Sequence, residues 1–536
     1  MRVRACLNNQ KEPVMSKTKK VPMKQILSCL TIMLLGTSVS ATGRYVDTAG
    51  SDSSDCSDSL SPCATLQYAV NQSVSLDTIN ISAGTYSVSG VVTINKTLTI
   101  LGAQAGVDAR TRLAAETVLS NSQGISVSAN NVTFDGLTIQ DSNIAAFTGY
   151  GIWLNPSIDG TTIVNTIFQN NIVGLGLANA GASQCLIQYN LFQNNNQPGG
   201  AFGTGIYTDE YVGGSVSNVL ISDNRFESNE NAGIGLSNNT LALSNSDFTI
   251  TNNIINNCGR GIYIYNTIGT NIISNTITNL SAPTDGGSSV ALGIYGGNSN
   301  LSALQNNFNS GARYGVRIGA FLAANSDILI HDNNISGYAT AGLLVNDAPI
   351  GPTDFATCNW WGDASGPYNA SLNPAGAGDE VSGTLVLGNF SPWLLEASPE
   401  GSCGSAPSVE VLFSPTTIYE GKKSNLTITF VNPNDSAATI TALFTNYLPS
   451  GLSVSGSATN TCGGSLTAIS GSSSFSLSGG IIAANSSCKI KVQVTASHEG
   501  NYTNVVPTGA LQTNKGSNAD PAEATLVVLS KNGPLH

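Results

Sequence analysis

Charge is scarce in this sequence, and positive charge is the scarcer kind. Only 10% of the residues are Asp, Glu, Lys or Arg, and 33 acids face 21 bases. Seven of the 21 bases, but only one of the 33 acids, fall in the first 41 residues, which leaves the remainder near −18 (14 bases against 32 acids). Such a chain repels nucleic acid and anionic membranes, so neither is expected as a partner. Histidine is scarcer still. His331, His498 and His536 are scattered, which argues against a His-based zinc site. After Ala41 no segment reaches 18 consecutive apolar residues, so no transmembrane span is expected.

What the sequence has is a repeat. Asn190-Leu-Phe192, Asn224-Arg-Phe226, Asn253-Ile-Ile255, Asn275-Thr-Ile277, Asn306-Asn-Phe308, Asn333-Asn-Ile335 and Asn359-Trp-Trp361 share one pattern, an Asn, any residue, then a large apolar one. A second landmark alternates with it. A glycine opens a run of alternating apolar residues at Gly151, Gly174, Gly205, Gly233, Gly261, Gly293, Gly315 and Gly342, with spacings of 23, 31, 28, 28, 32, 22 and 27. Self-similarity at this period indicates a solenoid. No repeat holds a 10-residue amphipathic helical pattern, which argues against leucine-rich, ankyrin and tetratricopeptide solenoids. Runs such as Val219-Leu-Ile221, Phe248-Thr-Ile250 and Ile328-Leu-Ile330 read as short strands with alternate residues buried. Three strands and three turns fill such a repeat. The Asn marks a turn in which left-handed dihedrals are tolerated, and equivalent Asn residues are expected to form a ladder of amides. These features predict an all-β chain built on a parallel β-helix.

The coils from about Asp77 to Trp393 resemble the right-handed parallel β-helix repeats of the pectate-lyase-like superfamily, in its bacterial secreted branch. Cys358-Asn-Trp-Trp-Gly-Asp-Ala-Ser-Gly-Pro367 resembles the final-coil signature of that branch. The resemblance implies the fold strongly and an activity weakly, because one fold hosts many functions.

The expected domains follow. Residues 1–41 read as a signal peptide, with Lys17, Lys19, Lys20 and Lys24 before an apolar run and a small-residue site at Val39-Ser-Ala41. Residues 42–76 form an N-terminal cap with one helix from Cys63, its start marked by Ser61-Pro62. Residues 77–400 are the β-helix and its closing segment, and 401–407 a linker. Residues 408–530, with alternating runs such as Leu426-Thr-Ile-Thr-Phe430 separated by Pro, Gly and Asn turns, read as an immunoglobulin-like β-sandwich. Leu448-Pro-Ser-Gly-Leu452 and Tyr502-Thr-Asn-Val-Val-Pro507 resemble modules of bacterial surface proteins that act as spacers or attachment units. An exported chain keeps disulfides, and the expected pairs are Cys56 with Cys63, Cys462 with Cys488, and Cys358 with Cys403. Cys185 and Cys258, five residues before and five after their Asn, are expected to be buried thiols.

The candidate site lies on the glycine-initiated strands. With Ile152, Ile206, Ile234, Ile262, Ile294 and Val316 inward, Trp153, Tyr207, Gly235, Tyr263, Tyr295 and Arg317 point outward. They are expected in one column, exposed to solvent, with rings one coil apart that suit stacking on a sugar chain. From Asn190 to Gly205 is 15 residues and from Asn275 to Gly293 is 18, against a usual 8 or 9, so two long loops could wall a groove. Asp209, Arg260, Arg313 and Arg317 lie near the same edge. Asp209 and Arg317 are the candidate catalytic residues; Trp153, Tyr207, Tyr263, Tyr295, Arg260 and Arg313 are the candidate binding residues. The paired Asp and Gly-His-Gly of the polygalacturonase-like pattern are missing. The reading is therefore a secreted or surface-exposed, monomeric protein that engages a polysaccharide, without a required cofactor. The alternatives are a lyase or hydrolase of an acidic polysaccharide, with calcium if a lyase, and a purely structural stalk.

Overall fold

Each coil of the chain adds one strand to each of three long parallel sheets, as the repeat requires. The computed structural model describes residues 41–144, 149–198, 203–240, 243–311, 313–321, 323–347, 354–401, 403, 406–434, 436–518 and 520–531. The expected signal peptide, apart from Ala41, lies outside the described residues. One coil shows the plan. Ser217–Ser222 belongs to an 11-stranded first sheet, Arg225–Glu227 to a 10-stranded second sheet and Ala232–Leu236 to a 12-stranded third sheet. Asn245–Thr251 then returns to the first sheet and pairs in parallel register with Ser217–Ser222. This is a parallel β-helix.

The interior repeats as the strands do. Ile221, Phe226 and Ile234 are fully buried within that coil. In the second sheet Phe168, Phe192 and Phe226 stack with ring centroids 4.7 and 4.9 Å apart and planes within 7°. That spacing is the strand spacing itself, so equivalent side chains are forced face to face.

The corner between the first and second sheets carries the Asn ladder. The Nδ2 of Asn190 donates to Oδ1 of Asn224 at 3.0 Å, and the same bond joins Asn224 to Asn253, Asn253 to Asn275, Asn275 to Asn306, Asn306 to Asn333 and Asn333 to Asn359 at 2.9–3.0 Å. One detail corrects the sequence reading. The left-handed residue is the one before each Asn: Tyr189, Asp223, Asn252, Ser274, Gln305, Asp332 and Cys358 have φ between 54° and 58°. The bend must come first, because only then does the Asn side chain turn inward to meet its neighbours. A second ladder escaped the sequence reading. At the next corner Asn171 donates to Asn195 (3.0 Å) and Asn195 to Asn229 (2.8 Å), while Asn229 ends on the Cys258 sulfur at 3.7 Å. Cys185 and Cys258 are buried free thiols.

The ends are closed. At the N-terminal end Gly43–Val46 pairs with Thr78–Ile81 as the outermost strand of the first sheet. The helix runs over Leu66–Gln72 with Thr65 as its N-cap, later than the Ser61-Pro62 start expected. Cys63 is committed elsewhere: it bridges Val46, its N–H bonds Tyr45 O at 2.9 Å, and its sulfur is bonded to Cys56. At the other end Trp361, Phe390 and Trp393 bury themselves against the last coil, and Cys358–Cys403 ties the final turn to the chain beyond. Past residue 407 small sheets, mostly antiparallel, enclose their own core around Leu426, Ile428, Phe430, Ile490 and Val492, with the Cys462–Cys488 disulfide.

Candidate functional site

The third sheet forms the floor of the site. Its strands alternate strictly, so Ile206, Ile234, Ile262 and Ile294 face the core and their neighbours face out. The outward residues form two columns where the sequence suggested one. Strand register aligns Trp153, Gly176, Tyr207, Gly235, Tyr263, Gly293, Arg317 and Leu344. Tyr265, Tyr295, Gly319 and Asn346 form the second column, two residues further along each strand. Tyr295 therefore neighbours Tyr265 and is not equivalent to Tyr263. A shift of two residues caused the misreading. It preserves the inward–outward alternation, and Ala291 takes the tight place that glycine holds in the other coils.

In the first column, aromatic rings alternate with glycines for a steric reason. A Cβ at Gly235 would meet Tyr263 Cζ and Oη at 2.4 Å, and one at Gly293 would meet Tyr295 Cε2 at 2.5 Å. The rings lie along the solenoid over these gaps. Tyr265 and Tyr295 sit 5.0 Å apart, and Phe321 meets Tyr265 edge-on at 5.6 Å. Tyr207, Tyr263 and Tyr295, expected to be exposed to solvent, are half-buried, as is Tyr265. Together they line a cleft of about 610 Å³.

One wall is the long loop before Val290–Tyr295, which supplies Asp285, Gly287 and Ser288. The opposite wall comes from the turns leaving the third sheet: Ser237, Asn239 and Gly319 to Phe321. Of the two long loops expected to wall the groove, the one before Gly293 does so, whereas no described residue of the one before Gly205 lines the cleft; the turns of the opposite wall have ordinary length and carry no such mark. Asp285 was missed too, though it lies in the flagged loop.

Arg260 donates from Nη2 to both Asp285 oxygens at 2.9 Å, and Nη1 bonds Asn231. Burial pushes the Asp285 carboxyl up, but Arg260 and the Gly287 N–H outweigh it and hold it below the usual carboxylate range. Burial raises the Tyr207, Tyr263, Tyr265 and Tyr295 phenols, so all four stay neutral. Arg317 lies over the rings of Tyr295 and Tyr314 at 5.8 and 5.6 Å, the geometry of cation–π contacts.

Two family models match this chain. One, described as a right handed beta helix region, matches residues 100–277 and 208–308. The other, a domain of unknown function, matches residues 407–528. The coils of this chain form a right-handed parallel β-helix.

No curated protein sequence matches it. Among solved structures it is similar to the enzymatically active domain of tailspike protein 2 from bacteriophage CBA120, at 10% identity, covering 86% of this chain and 73% of that one, with a TM-score of 0.32. A rhamnogalacturonan lyase follows at 13% identity, 66% and 88% coverage and a TM-score of 0.30. The pectate lyase Pel9A is similar at 14% identity, 67% and 82% coverage and a TM-score of 0.29. Values this low transfer no activity.

The remaining candidates of this β-helix protein do not line the cleft, although Asp209 and Arg313 each bond a residue that does. Trp153 donates its indole N–H to Val212 O at 3.2 Å and packs beside Tyr150 and Val212. It lines a separate depression of about 180 Å³ with Val91, Gln123 and Tyr150. Arg313 is exposed and bonds Ser288 of the wall loop at 3.1 Å. Asp209 accepts from Tyr207 Oη (2.8 Å), Tyr211 N (2.9 Å) and Val212 N (2.7 Å), so its carboxylate holds its own loop in place. Among the described residues no three His, Cys, Asp or Glu side chains come together as a metal site.

Proposed function

We propose that this β-helix engages a glycan in the cleft on its third sheet, as a binding rather than a cutting protein. The observation that carries the reading is the cleft's composition. Four half-buried tyrosines and Phe321 supply ring surface, Asn231, Asn239 and Ser288 supply hydrogen bonds, and Asp285 is the single acid lining it among the described residues. Sugars offer apolar ring faces and a rim of hydroxyls, and amphipathic aromatics suit both. Glycoside hydrolysis commonly uses two carboxyl groups across the bond. Here the one lining carboxylate is already paired with Arg260.

The three disulfides support an oxidising location outside the cytoplasm. Together with the signal-peptide reading, they point to a secreted or surface protein whose C-terminal module spaces or attaches the solenoid. Cleavage of an acidic polysaccharide is the second reading. It rests on Arg317, which could neutralise a uronate while a proton is taken beside it. A glycan array with the purified chain, scored for binding and for released product, tests both. Retention without product is the expected result. Product formation that Asp209→Asn abolishes would establish the enzyme in its place, and no retention at all would leave the stalk.

A further inference from the structure

The two guanidinium groups of the cleft are in opposite states. Arg260 is satisfied by Asp285 through two bonds of 2.9 Å and by Asn231. Arg317 has no carboxylate within ion-pair distance among the described residues, and its buried Nε has no hydrogen-bond partner there. Leaving a buried charged donor unmet is costly. The cation is nevertheless held between Tyr295, which also pairs with it through its hydroxyl, and Tyr314, so its position is fixed while its Nε stays unmet. Its register partner Gly293 lets the Tyr295 ring lie beside it, and Gly319 leaves room further along the strand, where a Cβ would touch only Tyr295, at 3.8 Å.

We propose that Arg317 is the anion receptor of the cleft, receiving a carboxylate or sulfate half-ester carried by the bound glycan. The inference rests on the glycan reading above and adds to it the charge of the ligand. A planar guanidinium fork matches either oxyanion bidentately. Because acids outnumber bases 33 to 21, an unpaired Arg in a concave site is where an anionic polymer can approach this chain. Asp285 blocks the same role for Arg260.

The test is calorimetric titration of the full chain with polygalacturonate, its carboxyl-reduced form, chondroitin sulfate and desulfated chondroitin. At least one acidic polymer is expected to bind about tenfold or more tightly than its neutralised form, and that form still binds through the rings. Arg317→Gln should reduce the preference to below about threefold, with Arg317→Lys between. The pair that shows the preference tells carboxylate from sulfate. If Arg317→Gln fails to fold, the wild-type salt dependence decides: binding should weaken with salt for the acidic polymer only. Equal binding of acidic and neutral forms, or equal weakening of both by Arg317→Gln, overturns the inference and leaves the glycan reading intact. Binding of none of the four overturns both.

Discussion

The Asn corner and the tyrosine face belong to the same coils and obey opposite rules. At the corner every coil repeats its neighbour: six successive amide bonds of 2.9–3.0 Å run from Asn190 to Asn359. On the third sheet the outward positions change from coil to coil, from Trp153 through Gly176, Tyr207 and Gly235 to Arg317. Repetition satisfies buried polar groups, because each Asn finds an identical partner one strand spacing away. Departure from repetition makes a cleft, because a glycine beside a tyrosine leaves room and direction for the ring. Stability should therefore reside at the corner and recognition on the face.

That division can be broken at the closed end of the ladder. Cys358 is the left-handed residue before Asn359, and its disulfide to Cys403 closes a separation of 45 residues. Cys358→Ser should cost up to about 4 kcal/mol of solenoid stability in a denaturant titration. Next comes the middle of the ladder. Asn253→Ala removes donors to Asn275 and to Ile221 O, and leaves the backbone N–H and Nδ2 of Asn224 without their acceptor. A loss of about 3 kcal/mol is expected, with glycan affinity unchanged. An unmoved denaturation midpoint would mean the ladder contributes little.

The face is tested by Tyr263→Ala with Tyr295→Ala, one ring from each column. Affinity should fall well over tenfold, with less loss of stability than Asn253→Ala alone causes. The reverse order would dissolve the distinction between corner and face. The smallest expected effect is that of pH. Asp285 has a lowered pKa, so the contribution of its ion pair is fully present above the ordinary carboxylate value and is lost only as pH falls below it. The tyrosines have raised values and remain neutral phenols. Binding should therefore be flat between about pH 5 and 9. A bell-shaped profile centred near neutrality would place a titrating group in the cleft that this arrangement lacks.

The sequence by itself determined the solenoid. Asn at a fixed place and strands with a two-residue period are local signals, and identical residues in successive coils must stack wherever the strands pair in register. It also placed Tyr207, Tyr263, Tyr295, Arg260 and Arg317 on one face, and the structure gathers these five around the cleft. The second ladder was legible in principle, since Asn171, Asn195, Asn229 and Cys258 each stand five residues after Thr166, Asn190, Asn224 and Asn253. Tertiary structure alone decided the rest. Alternation of period two is blind to a shift of two residues, so only pairing across strands could put Tyr295 beside Tyr265. Only packing between loops distant in sequence could join Asp285 to Arg260, fold the Asp209 carboxylate into its own turn, and leave Arg317 without an acid.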